Sequence, residues 1–262
     1  MPTLLESILD ATRATIPGLR ARWRDLEAAA AKVPPPSSFR AGLRGPRVAL
    51  IAEVKRRSPS AGEIQAGLDP VRHAAAFAEA GASAISVLTN REHFGGSLED
   101  LAAVVRRVPV PVLRKDFILD ETQILEARAA GAAAVLLITR ALPAARLRDL
   151  AGMAKDWGLE TLVEVHSQGE LDVALASGAS IIGINSRDLN DFRIDTEAAW
   201  RLVAAVPSEL VAVAESGMAT PADVEAAARA GADAVLIGTA LSAAPDPADL
   251  TRRLAGIPRR GR

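Results

Sequence analysis

The chain has 262 residues, of which 49% are hydrophobic, and this is enough for one large domain or two modest ones with a buried core. Lys and Arg number 31 and Asp and Glu number 32, so the formal net charge of -1 offers no basic surface for nucleic acid. The absence of cysteine excludes disulfides, thiolate metal sites and a cysteine nucleophile, and it agrees with a reducing cytoplasm.

The N-terminal segment, residues 1–47, is predicted to form a helical extension outside the main domain. Apolar residues recur there with helical spacing at Leu4, Leu5, Ile8 and Leu9. The stretch PPPSSF at 34–39 then ends the helical pattern. The segment has no basic region followed by an apolar one, and no apolar run in the chain reaches the ~18 residues of a membrane span. We therefore expect a cytoplasmic protein that does not bind membranes.

The stretch VALIAEVK at 48–55 has the composition of a buried strand, yet it carries two opposite charges. Alternation along a strand places Glu53 and Lys55 on the same face as Ile51. Only four of the 31 basic residues are lysines, and burial can tune the pKa of a lysine but hardly that of an arginine. Because Lys55 and Lys115 both end apolar strands, we interpret them as functional groups. A chance placement of surface lysines is the alternative.

A motif of a small residue and a glycine, followed by an apolar run, occurs four times. Its glycines are Gly81, Gly131, Gly178 and Gly231, which lie 50, 47 and 53 residues apart. Each interval contains one further apolar strand, within PVPVLRK, ETLVEV or ELVAVAES. An interval therefore holds two strand-and-helix units of about 25 residues each. Together with the opening strand, the repeat predicts eight strands.

The segments between these strands have helical periodicity, as in DETQILEARAAG at 120–131, which begins with an acidic residue and ends on glycine. Strands that are apolar on both faces and alternate with helices indicate a parallel sheet covered by helices. Eight units favour an α/β fold of the (β/α)8 TIM barrel type, which typically has ~250 residues, over an open doubly wound sheet. We assign residues 48–256 to the barrel and 257–262 to a basic tail that we expect to be solvated.

The carboxyl ends of barrel strands open into the mouth where barrel enzymes hold their catalytic groups. Alternation along the strands assigns to this mouth Glu53, Lys55, Lys115, Glu164, Asn185, Arg187 and Ser216. A single charged residue at a strand end would more often be solvated. Two lysines and two glutamates in one ring must shift each other's pKa values, and this favours acid–base chemistry.

Two glycine-containing turns, ESGM and IGTAL, follow the seventh and eighth predicted strands. Loops at these two positions of a barrel frequently bind phosphate through backbone N–H groups. Gly217, Gly238 and Thr239 are therefore the candidates for binding phosphate. The other interpretation is ordinary turn chemistry, because glycine is common after a strand.

Two phenylalanines, Phe94 and Phe117, fall in loops that leave strand ends and are candidates for an apolar site beside the charged one. Packing beneath a loop is the other interpretation. His166 follows Glu164 by two residues, so alternation predicts that it lines the mouth as well. The spacing of the three histidines predicts no metal site.

Eight segments of the chain together resemble the motifs of the indole-3-glycerol phosphate synthases. They are, in order, SSFRAGL, IAEVKRRSPSAGEI, SVLTNREHFGGSLEDL, PVLRKDFILDETQILEARAAGA, LVEVHSQGEL, IGINSRDLNDF, VAESGM and GADAVLIGTAL. A barrel fold alone does not account for eight motifs in this order and spacing. The resemblance implies that 1-(2-carboxyphenylamino)-1-deoxyribulose 5-phosphate closes a ring, losing carbon dioxide and water, to give indole-3-glycerol phosphate. It implies no cofactor and no metal.

The resemblance also implies roles for the charged residues. Lys115 would be the general acid that protonates the keto oxygen as the aromatic carbon attacks, and Glu164 would handle the proton of the later dehydration. Lys55 would pair with the substrate carboxylate or phosphate and share the acid role. Glu53 and Asn185 would orient catalytic groups and substrate hydroxyls.

The remaining implied contacts concern substrate binding. Ser58 and Arg187 would hold anionic or hydroxyl groups. The phosphate end would be lined by Ser216, Gly217, Gly238 and Thr239. The anthranilate ring would be surrounded by Phe94, Phe117, Pro59 and Leu189. The implied partner is a small phosphorylated aromatic substrate and not nucleic acid, and we expect a monomer or a weak oligomer.

Two other classes of function stay open at this point. A different phosphate-binding barrel, such as a phosphoribosylanthranilate isomerase or a Schiff-base aldolase, shares the last two loops and a lysine at a strand end. The pairing of Lys55 with Lys115, and SPS after the first strand, argue against it. A non-catalytic binding module would not need two lysines and two glutamates in one mouth.

Overall fold

The computed structural model describes residues 3–59, 62–65, 67–188 and 192–262, and its central element is a closed barrel of parallel strands. The strands are β1 (Ala49–Val54), β2 (Ala84–Leu88), β3 (Val112–Lys115), β4 (Ala134–Ile138), β5 (Glu160–Val165), β6 (Ile181–Asn185), β7 (Val211–Glu215) and β8 (Ala234–Ile237). Each strand pairs with the next in chain order, and β8 closes the barrel against β1. The structure thus confirms the predicted (β/α)8 barrel.

Helices precede, connect and follow these strands. They are α1 (Leu4–Ala21), α2 (Trp23–Lys32), α3 (Phe39–Gly42), α4 (Pro70–Glu79), α5 (Arg91–Phe94), α6 (Leu98–Arg107), α7 (Glu121–Ala129), α8 (Ala144–Asp156), α9 (Gln168–Ala176), α10 (Thr196–Ala205), α11 (Pro221–Ala230), α12 (Thr239–Ala243) and α13 (Pro247–Ala255). A short antiparallel hairpin (Arg57–Ser58 and Gly62–Glu63) follows β1, and a 3-10 turn (Thr139–Ala141) follows β4. Within the described ranges, no helix is both long and apolar enough to cross a membrane.

The four repeat glycines end helices in the way that the motif predicts. Gly81, Gly131, Gly178 and Gly231 have φ angles of 105°, 85°, 80° and 98°. This left-handed conformation suits glycine, and it turns the chain out of a helix toward the next strand. At the other end of a unit, Asp120 caps α7, and its partner Gln123 completes a capping box. Local sequence therefore sets where these units start and stop.

The barrel strands are buried on both faces, because helices cover their outer face and their inner face fills the barrel. All residues of β1, β2 and β4 are buried. Most of them are Ala, Val, Leu or Ile, whose burial supplies the main favourable free energy of folding. Glu53 in β1 is an exception, with 3% of its surface exposed, and it lies toward the carboxyl end of its strand.

The N-terminal helix α1 lies across the carboxyl end of the barrel. Three of its apolar residues line the cavity described below, namely Leu4, Leu5 and Ile8. Farther along the helix, Arg20 forms an ion pair of 2.7 Å with Asp120, which caps α7 at the same end of the barrel. Helix α1 therefore contributes a wall to the cavity, and the ion pair helps to hold it there.

The C-terminal tail is ordered against the opposite end of the barrel, and the expectation that it would be solvated is wrong. The amide of Val48 donates to the carbonyl of Ile257 at 2.9 Å, just before β1 begins. Beyond it, Arg259 and Arg262 contact opposite oxygens of the buried Asp233, at 2.8 and 2.9 Å. A buried carboxylate needs such partners, and this explains why a basic tail folds back.

Replacing Arg262 with alanine should lower the free energy of unfolding by about 2 kcal/mol, because buried acceptors would lose their donor. The guanidinium of Arg262 donates to the carbonyl oxygens of Gly231 and Leu210, at 2.6 and 2.8 Å, as well as contacting Asp233. Urea unfolding at equilibrium measures the loss. The exposed Arg260 gives the control, since its alanine variant should stay within about 0.5 kcal/mol of the parent. Equal stability of the two variants would contradict the anchoring of the tail.

Candidate active site

A cavity of about 390 Å³ opens at the carboxyl ends of the barrel strands. We call it the main cavity. Of the fifteen residues predicted for the site, it is lined by Glu53, Lys55, Ser58, Pro59, Phe94, Lys115, Phe117, Glu164, Asn185, Arg187, Ser216, Gly217, Gly238 and Thr239. Leu189 lies outside the described residues. Side chains that are distant in sequence thus meet at one mouth, as strand alternation predicts.

The charged residues of the main cavity form a compact cluster around Lys115. Its Nζ atom lies 3.7 Å from Glu164, 3.7 Å from Glu215 and 4.0 Å from Glu53. The second lysine, Lys55, contacts Glu53 at 2.8 Å. Glu53 therefore lies between the two ammonium groups, and the cluster contains two cations and three carboxyl groups.

Burial and mutual attraction change the proton affinity of these groups in opposite directions. Burial alone would lower the pKa of Lys115, but the surrounding carboxylates outweigh it, and the net pKa of Lys115 is raised. Burial alone would raise the pKa of Glu53, but the charges of Lys55 and Lys115 outweigh it, and its pKa is lowered. Near neutral pH, Lys115 is therefore an ammonium and Glu53 a carboxylate.

Glu215 is a site residue that the sequence analysis missed. It is the last residue of β7, it is 2% exposed, and neither of its carboxyl oxygens has a hydrogen-bond partner among the described residues. Burial and the neighbouring Glu164 raise the pKa of Glu215 well above its usual value, against the opposing charge of Lys115. Its carboxyl group lines the main cavity beside Glu164 and Lys115, so it is placed to contact a ligand there.

Two glycines in neighbouring strands leave room for this cluster. A Cβ atom on Gly183 in β6 would collide with the carboxyl group of Glu215 in β7. A Cβ atom on Gly238, which follows β8, would collide with that of Glu53 in β1. Gly238 is therefore needed to leave room for Glu53, whether or not this glycine also contacts phosphate.

The apolar part of the main cavity contains both predicted phenylalanines. The ring centroids of Phe94 and Phe117 lie 6.4 Å apart, with 37° between the ring planes. Helix α1 contributes Leu4, Leu5 and Ile8 to the same cavity. The cavity thus provides an apolar surface for a ring as well as charged groups for acid–base chemistry.

The turn after β7 has an unusual backbone. Ser216 and Gly217 both have positive φ angles, 65° and 72°. A Cβ atom on Gly217 would lie 3.0 Å from Ile194 and 3.1 Å from both Ser186 and Thr196, so only glycine fits without displacing a neighbour. For Ser216, the left-handed conformation is rare in a residue with a side chain, and such residues are often found at functional sites.

His166 does not line the main cavity, contrary to the prediction from alternation. Strand β5 ends at Val165 and the backbone bends at His166, so the alternation that places Glu164 inside the barrel is not continued. His166 lies behind Glu164, with 3.5 Å between its Nε2 atom and Oε1 of Glu164. It lines a second cavity of about 210 Å³ beside β6. Asn185 lines both cavities.

The three glutamates of the main cavity, Glu53, Glu164 and Glu215, have lysine side chains as their charged neighbours. In the described part of the chain, no group of three or more His, Asp or Glu side chains has the arrangement of a metal site. The chemistry that these side chains can perform by themselves is proton transfer to and from a bound anion, with Lys115 as the donor and the carboxyl groups as partners.

Comparison with known sequences gives a consistent result. Residues 5–254 match the family described as "Indole-3-glycerol phosphate synthase". A protein of that name from Mycobacterium avium (strain 104) is 45% identical over 247 residues, which cover 94% of this chain and 91% of that protein. Its namesake from Mycobacterium tuberculosis (strain ATCC 25618 / H37Rv) is 44% identical with the same coverage.

Comparison with solved structures identifies similar barrels. A thiamine phosphate pyrophosphorylase from Pyrococcus furiosus has a TM-score of 0.60 and 21% identity, covering 80% of this chain and 94% of that one. A 3-hexulose-6-phosphate synthase has a TM-score of 0.64 and 18% identity, covering 79% of this chain and 98% of that one. At such low identity the likeness shows the shared fold alone.

Proposed function

The chain belongs to the indole-3-glycerol phosphate synthase family, carboxy-lyases of tryptophan biosynthesis, and we propose that the cluster around Lys115 carries out this reaction. The observation that supports this proposal is the arrangement of one ammonium group within 4.0 Å of three carboxyl groups, beside two phenylalanine rings. The substrate has a ring at one end, a phosphate at the other and a keto group between them. The main cavity offers a matching group for each part.

In this proposal Lys115 is the general acid of ring closure. As the aromatic carbon attacks the keto carbon, negative charge develops on the keto oxygen, and an adjacent ammonium group stabilises it and supplies a proton. Lys55, held at 2.8 Å from Glu53, pairs with an anionic group of the substrate and shares the acid role. Asn185 and Glu53 orient these groups and the substrate hydroxyls.

Glu164 handles the proton of the dehydration that follows loss of carbon dioxide. Its Oε2 atom lies 3.7 Å from Lys115, so a proton passes between the acid and the base of the site through one bridging water or after the two groups approach in the substrate complex. Glu215, whose pKa is raised by burial and by Glu164, lines the same cavity and offers a second hydrogen-bonding group to the substrate. Two carboxyl groups with different environments suit a reaction that both adds and removes protons.

The proposed substrate lies with its ring between Phe94, Phe117, Pro59 and Leu189. Ser58 and Arg187 hold anionic or hydroxyl groups along the cavity wall. The phosphate lies against Ser216, Gly217, Gly238 and Thr239. All of these residues except Leu189, which lies outside the described ranges, line the main cavity.

Neither alternative class of function is favoured. The two mycobacterial relatives described above are named for the same activity, and the family match covers most of the chain. A binding module has no need for a lysine whose proton affinity is raised by three buried carboxyl groups. An isomerase or an aldolase would share the phosphate loops but would not need the second lysine beside Glu53.

The direct test is to mix the purified protein with 1-(2-carboxyphenylamino)-1-deoxyribulose 5-phosphate and to follow indole fluorescence. We expect product at a rate that does not change in EDTA, because the proposal requires no metal. Phosphoribosylanthranilate, the substrate of the isomerase alternative, should not be converted by the same preparation. Absence of indole fluorescence with a folded protein would refute the proposed function.

We expect phosphate to bind at the loops after β7 and β8. Crystals soaked with sulfate or with the product should show the anion beside Gly217 and Gly238, because the backbone there turns N–H groups toward the main cavity in many barrels. Crystallography at moderate resolution suffices, since sulfate scatters strongly. An anion found only at the opposite end of the barrel would contradict the assignment of these loops.

The proposal includes a cytoplasmic enzyme that acts as a monomer or weak oligomer, and it is supported by the meeting of fourteen of the fifteen predicted site residues in one cavity of a single chain. Light scattering after size-exclusion chromatography tests the second point. A stable oligomer whose dissociation abolishes activity would contradict it.

A further inference from the structure

His166 connects the proposed base to a carboxylate outside the main cavity. Its Nε2 atom lies 3.5 Å from Oε1 of Glu164, and its Nδ1 atom lies 3.2 Å from Oε2 of Glu170. The side chain is only 4% exposed, so each ring nitrogen faces one carboxylate in a buried setting. Glu164 in turn faces two nitrogens, since its other oxygen lies 3.7 Å from Lys115.

Glu170, at the start of α9, is fixed as the acceptor for one side of the imidazole. It accepts hydrogen bonds from the backbone amide of His166 at 2.9 Å and from the hydroxyl of Thr139 at 2.8 Å, and Arg140 contacts its other oxygen at 3.0 Å. Burial alone would raise its pKa, but these hydrogen bonds and charges lower it to about 2. Nδ1 of His166 therefore carries a proton, and Nε2 is the atom left to exchange one with Glu164.

His166 lines the second cavity and is absent from the lining of the main cavity. The second cavity is lined by His166, Asn185, Ser186, Asp188, Arg193 and Asp195, among others. The charged groups near the imidazole are therefore Glu164, Glu170 with Arg140, and the side chains of this cavity. A polar cavity of about 210 Å³ has room for several water molecules. His166 thus connects Glu164 to a site that water can occupy even when substrate fills the main cavity.

The reaction requires such a connection because it consumes a proton. Ring closure places one proton on the keto oxygen, and departure of that oxygen as water requires a second. The carbon that loses its proton during dehydration returns only one, and an ionised carboxylate leaves as carbon dioxide without releasing any. One proton per turnover must therefore enter from solvent and reach Lys115.

We propose that His166 is a positioning and relay residue that passes this proton from the second cavity through Glu164 to Lys115. The inference rests on the proposed roles of Lys115 and Glu164. The imidazolium of His166 gives its Nε2 proton to Glu164, becoming neutral, and Glu164 then gives a proton to the neutral amine of Lys115. After both transfers Glu164 is again a carboxylate and Lys115 an ammonium, and His166 takes its next proton from water in the second cavity.

The relay predicts a specific kinetic defect in a His166→Ala variant. The first ring closure uses the proton already on Lys115, so release of one carbon dioxide per site in a single turnover should keep its rate. Steady-state turnover should fall at least about tenfold, with KM within about twofold of the parent, because Lys115 is recharged slowly. Added imidazole, which fits in the space left by the ring, should restore much of the lost turnover.

Two further variants complete the experiment. His73→Ala is the control. His73 lies on α4, contacts the carbonyl of Asp69 just before that helix and lines neither cavity. This variant should show neither the defect nor the rescue. His166→Gln keeps a polar side chain that cannot relay a proton, so its steady-state turnover should fall as far as that predicted for the alanine variant. It keeps the relay testable if the alanine variant folds poorly.

Three results would overturn the relay. They are full turnover in His166→Gln, an equal loss of the single-turnover burst and the steady-state rate in His166→Ala, and a rate that imidazole leaves unchanged. The proposed function itself fails in a different way, through the absence of indole product from the parent protein.

Discussion

Replacing Lys115 with arginine should keep the fold and the positive charge but abolish ring closure. A guanidinium with a pKa above ~12 that is held by three carboxyl groups does not supply a proton on the time scale of turnover. The carboxyl groups that raise the pKa of Lys115 would raise that of a guanidinium from a higher starting value, so the ammonium is the better proton donor to the developing alkoxide.

Single-turnover kinetics with the natural substrate measure this step, with carbon dioxide and indole followed separately. Lys115→Arg should release neither product at a useful rate. Lys155, exposed in the last turn of α8, gives the matched control, and Lys155→Arg should be indistinguishable from the parent. Circular dichroism and thermal melting should first show that both variants fold. Turnover above about a tenth of the parent rate in Lys115→Arg would mean an increase of ~1.4 kcal/mol or less in the activation free energy. Lys115 would then act through its positive charge alone and not as a general acid.

Much of the barrel could be predicted because its signals are local. The four repeat glycines adopt the left-handed conformation that ends a helix, and apolar runs at regular spacing give the strands between them. Alternation along β1 correctly placed Glu53 and Lys55 at the mouth, since the chain does not bend at Lys55, one residue beyond the strand. Where a strand is regular, the side-chain direction of one residue predicts that of the next.

The errors arose where regular backbone ends. His166 follows the last residue of β5, and its side chain leaves the barrel interior for the second cavity. At β7 the predicted Ser216 does line the main cavity, but Glu215, whose carboxyl group lies 3.7 Å from Lys115, was missed. Glu215, the first residue of the ESGM segment, was visible in the sequence, but only the pairing of Asn185 with Glu215 shows its height in the barrel.

Contacts that depend on the register between neighbouring strands, or on the tail, could not be predicted. Glu53 needs a glycine at position 238, and Glu215 needs one at position 183. Both requirements arise from the register between neighbouring strands. The same holds for the tail, since nothing local connects Arg262 with Asp233. Such contacts depend on the closed barrel, and a single sequence does not reveal them.

Replacing Glu164 with glutamine should slow turnover by ~10² or more while changing substrate affinity only a few-fold. The amide has nearly the same shape, so the packing of this residue, which is 1% exposed, should survive. It cannot take up the proton that dehydration removes from carbon. Because Lys115 keeps its proton for ring closure, one carbon dioxide per site should still be released, while indole fluorescence appears slowly.

This separation of carbon dioxide from indole distinguishes Glu164 from Lys115. If Glu164 only held the ammonium of Lys115 in position, at 3.7 Å, its loss would slow both products equally. Glu160, at the opposite end of β5, gives the control, because it contacts the amide of Arg40 at 2.8 Å far from the mouth, and Glu160→Gln should leave both rates unchanged. Equal slowing of both products in Glu164→Gln would assign this residue to the support of Lys115, and unchanged turnover would reject any part in proton transfer.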